Sequence, residues 1–333
     1  AAKHALGLLL IILVACIWVA ASQLIQAIFE DASFDKPYFL TYFNTCGFSL
    51  WLLGAFCSPR WRRQLSRTHA MVALKICPAW MLANYLFNLS LDYASVASNS
   101  VLSTTSNLWT MLFSACILSE QINPVKLVAV AATVSGAALV ATSDAGSSCG
   151  SRCGWRGDAL ALVSACMYGA YSVLLKACVP EGESGLAMPL VFGCLGLFVL
   201  ALGWPLLLLL DAAGWETLEW PSGQALALLS VNALVGTNLS DVLWARALQL
   251  TSPLIATLGL SLSIPFGMVS DMMLRGKHFG LRYVGGAGLV FVGFVFGSVA
   301  EYLWGKLWHN RPRRCERVDG EQVDGHQDGA SAE

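Results

Sequence analysis

The sequence predicts an all-α membrane protein, with ten transmembrane helices built as two inverted five-helix repeats. Three observations predict it. The 333 residues are 56% hydrophobic and only 12% charged, with a mean hydropathy of +0.62. An ordinary soluble domain is about a quarter charged. The apolar residues fall into runs near the roughly 20 residues that a bilayer crossing requires. And the second half repeats the pattern of the first.

In chain order the runs lie at about 6–29, 38–57, 71–92, 97–118, 124–142, 158–178, 187–210, 224–247, 253–273 and 282–304. The first follows Lys3 and His4 but is longer than the roughly 7–15 apolar residues of a signal peptide, so it is read as a membrane span. Residues 1–142 form the expected first repeat, 143–157 a luminal linker and 158–304 the second repeat. Residues 305–333, rich in Asp, Gly, Gln and Glu, form an expected disordered cytoplasmic tail. Fourteen of the 20 Lys and Arg residues fall on the side shared by the two termini, among them Arg60, Arg62, Arg63 and Arg67. That bias predicts both termini in the cytoplasm and an even number of spans. The loop with Arg275 and Lys277 runs against it.

Helices one and six align at an offset of 150: Ala15-Cys16 with Ala165-Cys166, Ala20 with Ala170, Ser22 with Ser172 and Leu24 with Leu174. Helices four and nine align at 156, with Leu102 on Leu258 and Thr105 on Ser261. An odd number of helices per half makes the copies enter the membrane in opposite directions. Such inverted repeats are a device of transporters, whose site lies near the midplane between the halves.

Near-neutral net charge, −1, argues against a nucleic-acid partner. The cysteines mostly sit singly in apolar runs, where they behave as small hydrophobes, and no metal-ligand spacing appears. No cofactor is expected. Neither H-E-x-x-H, G-x-S-x-G nor a phosphate-binding glycine loop occurs, so no enzyme is expected.

Asp241 is the foremost candidate for solute contact. A carboxylate at a helix centre costs roughly 2.5–3.5 kcal/mol on insertion scales, so it normally faces a cavity or a partner. Arg246, five residues on, is off its face. Asn238 precedes it on the same helix. Lys176, ending helix six, would either bind an anionic solute or snorkel to the interface. Thr104, Thr105 and Asn107 on helix four and Ser261 and Ser263 on helix nine would face each other across the cavity, or hold helices together. Asn84, Tyr85 and Asn88 give helix three a polar stripe, and Tyr168 offers a ring on helix six. Small pairs, Gly293 with Gly297 on helix ten and Ala132 with Gly136 on helix five, mark close packing. Their partner is either in the same chain or in a second copy, which would make a homodimer through helices five and ten. Cys149 and Cys153 fall in the luminal linker, where a disulfide is one alternative. The sequons at Asn88 and Asn238 lie within or against spans and are read as accidental.

Several stretches carry a family resemblance: Ile17-Trp18-Val19-Ala20, Lys36-Pro37-Tyr38-Phe39, Leu102-Ser103-Thr104-Thr105-Ser106, and Ile255-Ala256-Thr257-Leu258-Gly259-Leu260-Ser261-Leu262-Ser263-Ile264-Pro265 with Asp271 beyond. Over nearly all its membrane part the chain resembles the drug/metabolite transporter superfamily (EamA-like), in particular the F subfamily of solute carrier family 35 and its fungal vacuolar relatives. The resemblance implies two five-helix repeats, a central cavity and an endomembrane location, vacuolar/lysosomal or Golgi. This chain has Gln23 where animal relatives tend to carry an acid, and a short connection after helix two where they have a long insert. The expected function is secondary-active transport or exchange of a small polar metabolite by alternating access. The expected partners are that solute and the bilayer. A non-transporting scaffold or sensor and a polytopic membrane enzyme are the competing readings.

Overall fold

A computed structural model of the chain describes residues 2–32, 36–93, 99, 102–144, 155–179, 188–276 and 278–309. Among these residues every regular element is helical. We label the segments α1 (Ala2–Ala32), α2 (Pro37–Cys46), α3 (Arg67–Tyr93), α4 (Ser106–Ile117), α5 (Pro124–Asp144) and α6 (Trp155–Cys178). Then come α7 (Met188–Leu202), α8 (Gly223–Val231 continued by Ser240–Leu250), α9 (Pro253–Leu260 continued by Ser263–Arg275) and α10 (Leu281–His309). Eight of them, all but α2 and α4, are long and apolar enough to cross a membrane.

Local chemistry sets the boundaries. Prolines open α2, α5 and α9 at positions whose N–H would have no helical partner anyway. The Asn123 side chain accepts from Lys126 N at 2.8 Å, and Ser252 accepts from Ile255 N at 3.3 Å. These are N-caps that satisfy otherwise orphaned donors. Gly276, at φ +61°, ends α9 in the left-handed conformation that glycine adopts without strain.

Among the described residues helix four turns at Thr105, and four more of the expected helices are broken. After Cys46, α2 tightens into a 3-10 stretch, Gly47–Leu52, before a last turn, Leu53–Cys57. α7 bends at Gly203 and resumes as Trp204–Ala212, where Pro205 supplies no donor. α8 widens into a π-helix at Asn232–Leu239. α9 is interrupted at Ser261 and Leu262, and Pro265, which has no N–H for the Ser261 carbonyl, is the third residue of the part that follows. α10 also continues past Lys306 to His309, so the first residues of the expected tail are helical, and the rest lies outside the described residues. So do Cys149, Cys153 and the disulfide question.

Partners alternate between the two halves. α1 packs on α8 and α9, whereas α6 packs on α3 and α4. α2 packs on α7, α4 on α9 and α5 on α10. One buried cluster joins Val14, Phe48, Trp80, Tyr171, Phe192 and Trp244. A second joins Ile11, Met111, Leu258 and Phe294. Leu9, Val128 and Val292 are more than half exposed on the outside of the bundle, where lipid tails take the place of water.

The α5–α10 seam settles part of the small-residue expectation. A side-chain carbon on Gly136 would stand 2.6 Å from the Gly286 carbonyl oxygen, so the backbones touch there. Gly293 likewise lies against Thr133 and Ala129. The small face of α5 runs through Ala129, Thr133 and Gly136, and its partner there is in the same chain.

Candidate functional site

The site begins on α6 and α8. Tyr168 and Tyr171 are three residues apart, as are Asp241 and Trp244, so each pair shares a helix face. The three rings form a near-equilateral triangle. Ring centroids are 5.8 Å apart for Tyr168–Tyr171, and 5.7 Å for both Tyr168–Trp244 and Tyr171–Trp244. Trp80 of α3 extends the cluster, edge-on to Tyr171 at 5.1 Å. Asp241, only 3% exposed, lies within electrostatic reach of both tyrosine hydroxyls.

What distinguishes this cluster from ordinary aromatic packing is its polar atoms. The Tyr168 and Tyr171 hydroxyls and Trp244 Nε1 are buried and make no hydrogen bond. Among the described residues the Asp241 carboxylate makes no hydrogen bond or ion pair either. Buried polar groups are nearly always paired, and each exception asks for an explanation. Just before the acid, Ser240 accepts from Trp18 Nε1 at 2.8 Å and donates to the carbonyls of Gly236 and Thr237, which ties α1 to the π segment.

The two basic side chains nearest in sequence logic are engaged elsewhere. Lys176 is half-buried and makes no ion pair with the acid. Its Nζ donates to the carbonyls of Leu248, Gln249 and Thr251 at 2.9, 2.9 and 2.7 Å, so a cation closes the C-terminal end of α8. Arg246 is exposed and donates to Gln249 Oε1 at 3.0 Å.

The remaining candidates divide into two groups. Asn107 of α4 donates to Ser261 Oγ of α9 at 3.1 Å, at the break in α9, and its own Oδ1 is unpartnered. The α4–α9 contact is thus real, but Asn107 makes it. Thr105 turns back onto the Leu102 carbonyl, Thr104 is buried beside it, and Ser263, half-buried, opens the second part of α9. The α3 stripe faces α2 rather than Asp241. Asn88 donates to Thr41 Oγ1 at 2.9 Å, Asn84 donates to the Trp80 carbonyl, and Tyr85 meets Tyr38 edge-on at 5.5 Å. Asn238, in the π-helix, donates to the Ala233 carbonyl and, across to α2, to the Asn44 carbonyl at 3.4 Å, with its Oδ1 unpartnered. The side chain of Gln23 lies outside the described residues.

Tyr171, Trp244 and Trp80 are the functional candidates that sequence reading missed. The signal was present as the i,i+3 partners of two residues already singled out, but an aromatic in an apolar helix reads as packing. On the opposite side, Glu216 caps α2 with both carboxylate oxygens, accepting from Tyr38 N at 2.9 Å and Phe39 N at 2.7 Å, and Lys36 donates to Thr217. This clasp joins the start of α2 to the connection between α7 and α8.

The profile of the EamA-like transporter family matches residues 5–142. An uncharacterized transporter of Schizosaccharomyces pombe is 35% identical over 327 residues, covering 88% of this chain and 95% of that protein. An uncharacterized vacuolar membrane protein of Saccharomyces cerevisiae is 32% identical, covering 88% of this chain and 89% of its own. Solute carrier family 35 member F5 of Bos taurus is 36% identical over 233 residues, 69% of this chain and 44% of the bovine protein. One solved crystal structure superposes with a TM-score of 0.66 at 15% identity, covering 91% of this chain and 98% of that one, a likeness of fold alone.

Proposed function

We propose, from the premise that this chain belongs to the EamA-like transporter family, that it is a secondary-active carrier or exchanger of a small polar metabolite, working by alternating access. Its members are transporters rather than enzymes, and the chain is a multi-pass membrane protein. The observation that carries the finer reading is the unpaired Asp241 among unused hydroxyls, flanked by helices from both halves. Ten spans in two inverted five-helix repeats account for the exchange of partners in the bundle. A pseudo-twofold axis that swaps α1 with α6, α3 with α8 and α4 with α9 turns the α1–α8 contact into α6–α3, and α1–α9 into α6–α4. Under the same operation α5–α10 and α4–α9 map onto themselves. A solute at the centre of such an arrangement is reached from alternate sides as the halves rock.

The basic-residue bias supports both termini in the cytoplasm, and the vacuolar relative supports an endomembrane location. Labelling at Cys315 from the cytoplasmic side alone is the expected topology result.

The central test is flux. Proteoliposomes holding the full chain, loaded with a metabolite extract, should export a subset of small polar solutes that empty liposomes retain. A scaffold or sensor would leave the two sets of vesicles alike.

A further inference from the structure

We propose that the solute is an organic cation bearing a hydrogen-bond acceptor, seated between the Asp241 carboxylate and the rings of Tyr168, Tyr171 and Trp244. The inference rests on the transporter reading and names the chemistry of its site.

Charge comes first. A carboxylate taken out of water needs a compensating positive charge, and an unpaired one costs several kcal/mol. The chain supplies none to Asp241 among the described residues. Lys176 is committed to three carbonyls at the end of α8, at least seven residues beyond the acid, or roughly 10 Å along the axis. Arg246 points outward to Gln249. An anionic solute would add a second negative charge. A neutral one would make no use of the charge, leaving the acid to take up a proton instead.

The walls narrow the choice of cation. A hard metal ion asks for about six or more oxygen ligands. Asp241 shares a helix face with Trp244, and the three aromatic rings stand with centroids 5.7–5.8 Å apart, so a solute would enter by parting them. Ring faces attract a cation lying within about 6 Å, most strongly when water is excluded, and such enclosures are a known receptor for substituted ammonium groups. The hydroxyls and the indole N–H are the third element. All three are donors without partners. A hydroxyl, carbonyl or ring nitrogen on the solute would accept from them and remove the penalty of leaving them unpaired.

The test is equilibrium binding to the full chain in lipid nanodiscs. The probes are choline and benzyltrimethylammonium, their uncharged carbon isosteres, and benzoate. The expected result is that at least one cation binds about tenfold or more tighter than its isostere, with no binding of benzoate. Asp241→Asn should abolish that preference. Trp244→Leu should weaken cation binding several-fold while Trp244→Phe retains most of it. Tyr168→Leu, at a half-buried position, serves if the Trp244 variant does not fold, as judged by size-exclusion and melting. Equal binding of cation and isostere, binding of benzoate instead, or no cation binding would overturn the proposal. The metabolite-flux assay separates the two readings, because export of neutral or anionic solutes with no cation preference leaves the transporter standing and removes only the cation.

Discussion

The α5–α10 seam and the α6–α8 cluster are both buried, and they are built on opposite terms. In the seam, glycines let two backbones meet, so that Gly136 and Gly286 sit against each other's carbonyls. Its one buried hydroxyl, Thr133, is satisfied by the Ala129 carbonyl at 2.8 Å. In the cluster the side chains are among the largest in the chain, and three buried donors, the two tyrosine hydroxyls and the indole N–H, have nothing to bond to. In lipid no hydrophobic force draws helices together, so close packing and hydrogen bonds must hold the bundle. The seam supplies that closure. The cluster forgoes it, and that is why it is the region proposed to receive the solute.

The sharpest break of the comparison is Asp241→Asn. It keeps the size and removes the charge, so the variant should express and insert normally yet lose gradient-driven flux about 100-fold or more, equivalent to roughly 2.7 kcal/mol of lost stabilisation. Flux that survives intact would make Asp241 structural. Gly136→Leu strikes the other region and should destabilise the fold by about 3 kcal/mol or more, because the Gly286 backbone cannot yield. A melting temperature equal to that of the native chain would mean that the seam is not tight. Lys176→Met tests the anchor next to the cluster. Removing three donations to the end of α8 should cost about 2 kcal/mol, with solute affinity changed less than stability. A loss of binding that exceeds the loss of stability would return Lys176 to the site. The smallest effect expected is that of Ser261→Ala, which deletes one interhelical bond and should cost about 0.6 kcal/mol in thermal or denaturant unfolding.

The helical class, the length of the spans and the polar contact between helices four and nine were legible because they follow from hydropathy and from an offset repeat. Asp241 was legible because a charge within an apolar run has few bland explanations. Lys176 was not, since sequence cannot tell a charge bound to carbonyls from one reaching the interface. The α3 stripe shared a face as expected, but which helix that face meets is decided by the crossing of α2, and Asn88 spends its amide on Thr41. Tyr171 and Trp244 were hidden by their chemistry. The lack of partners for their polar atoms, which they share with Trp109, is a property of three dimensions.

The π-helix at Asn232–Leu239 gives the acid a rotary joint. It ends one residue before Ser240-Asp241 and winds one more residue into its turn than the α-helices on either side. Were it to tighten to α geometry, the helix beyond would turn by about one residue, roughly 100°. Asp241 and Trp244 would swing together away from Tyr168 and Tyr171, while the Lys176 anchor at the far end resisted the turn. Twisting one helix, with no tilt of the bundle, would then suffice to open and close the enclosure around the carboxylate.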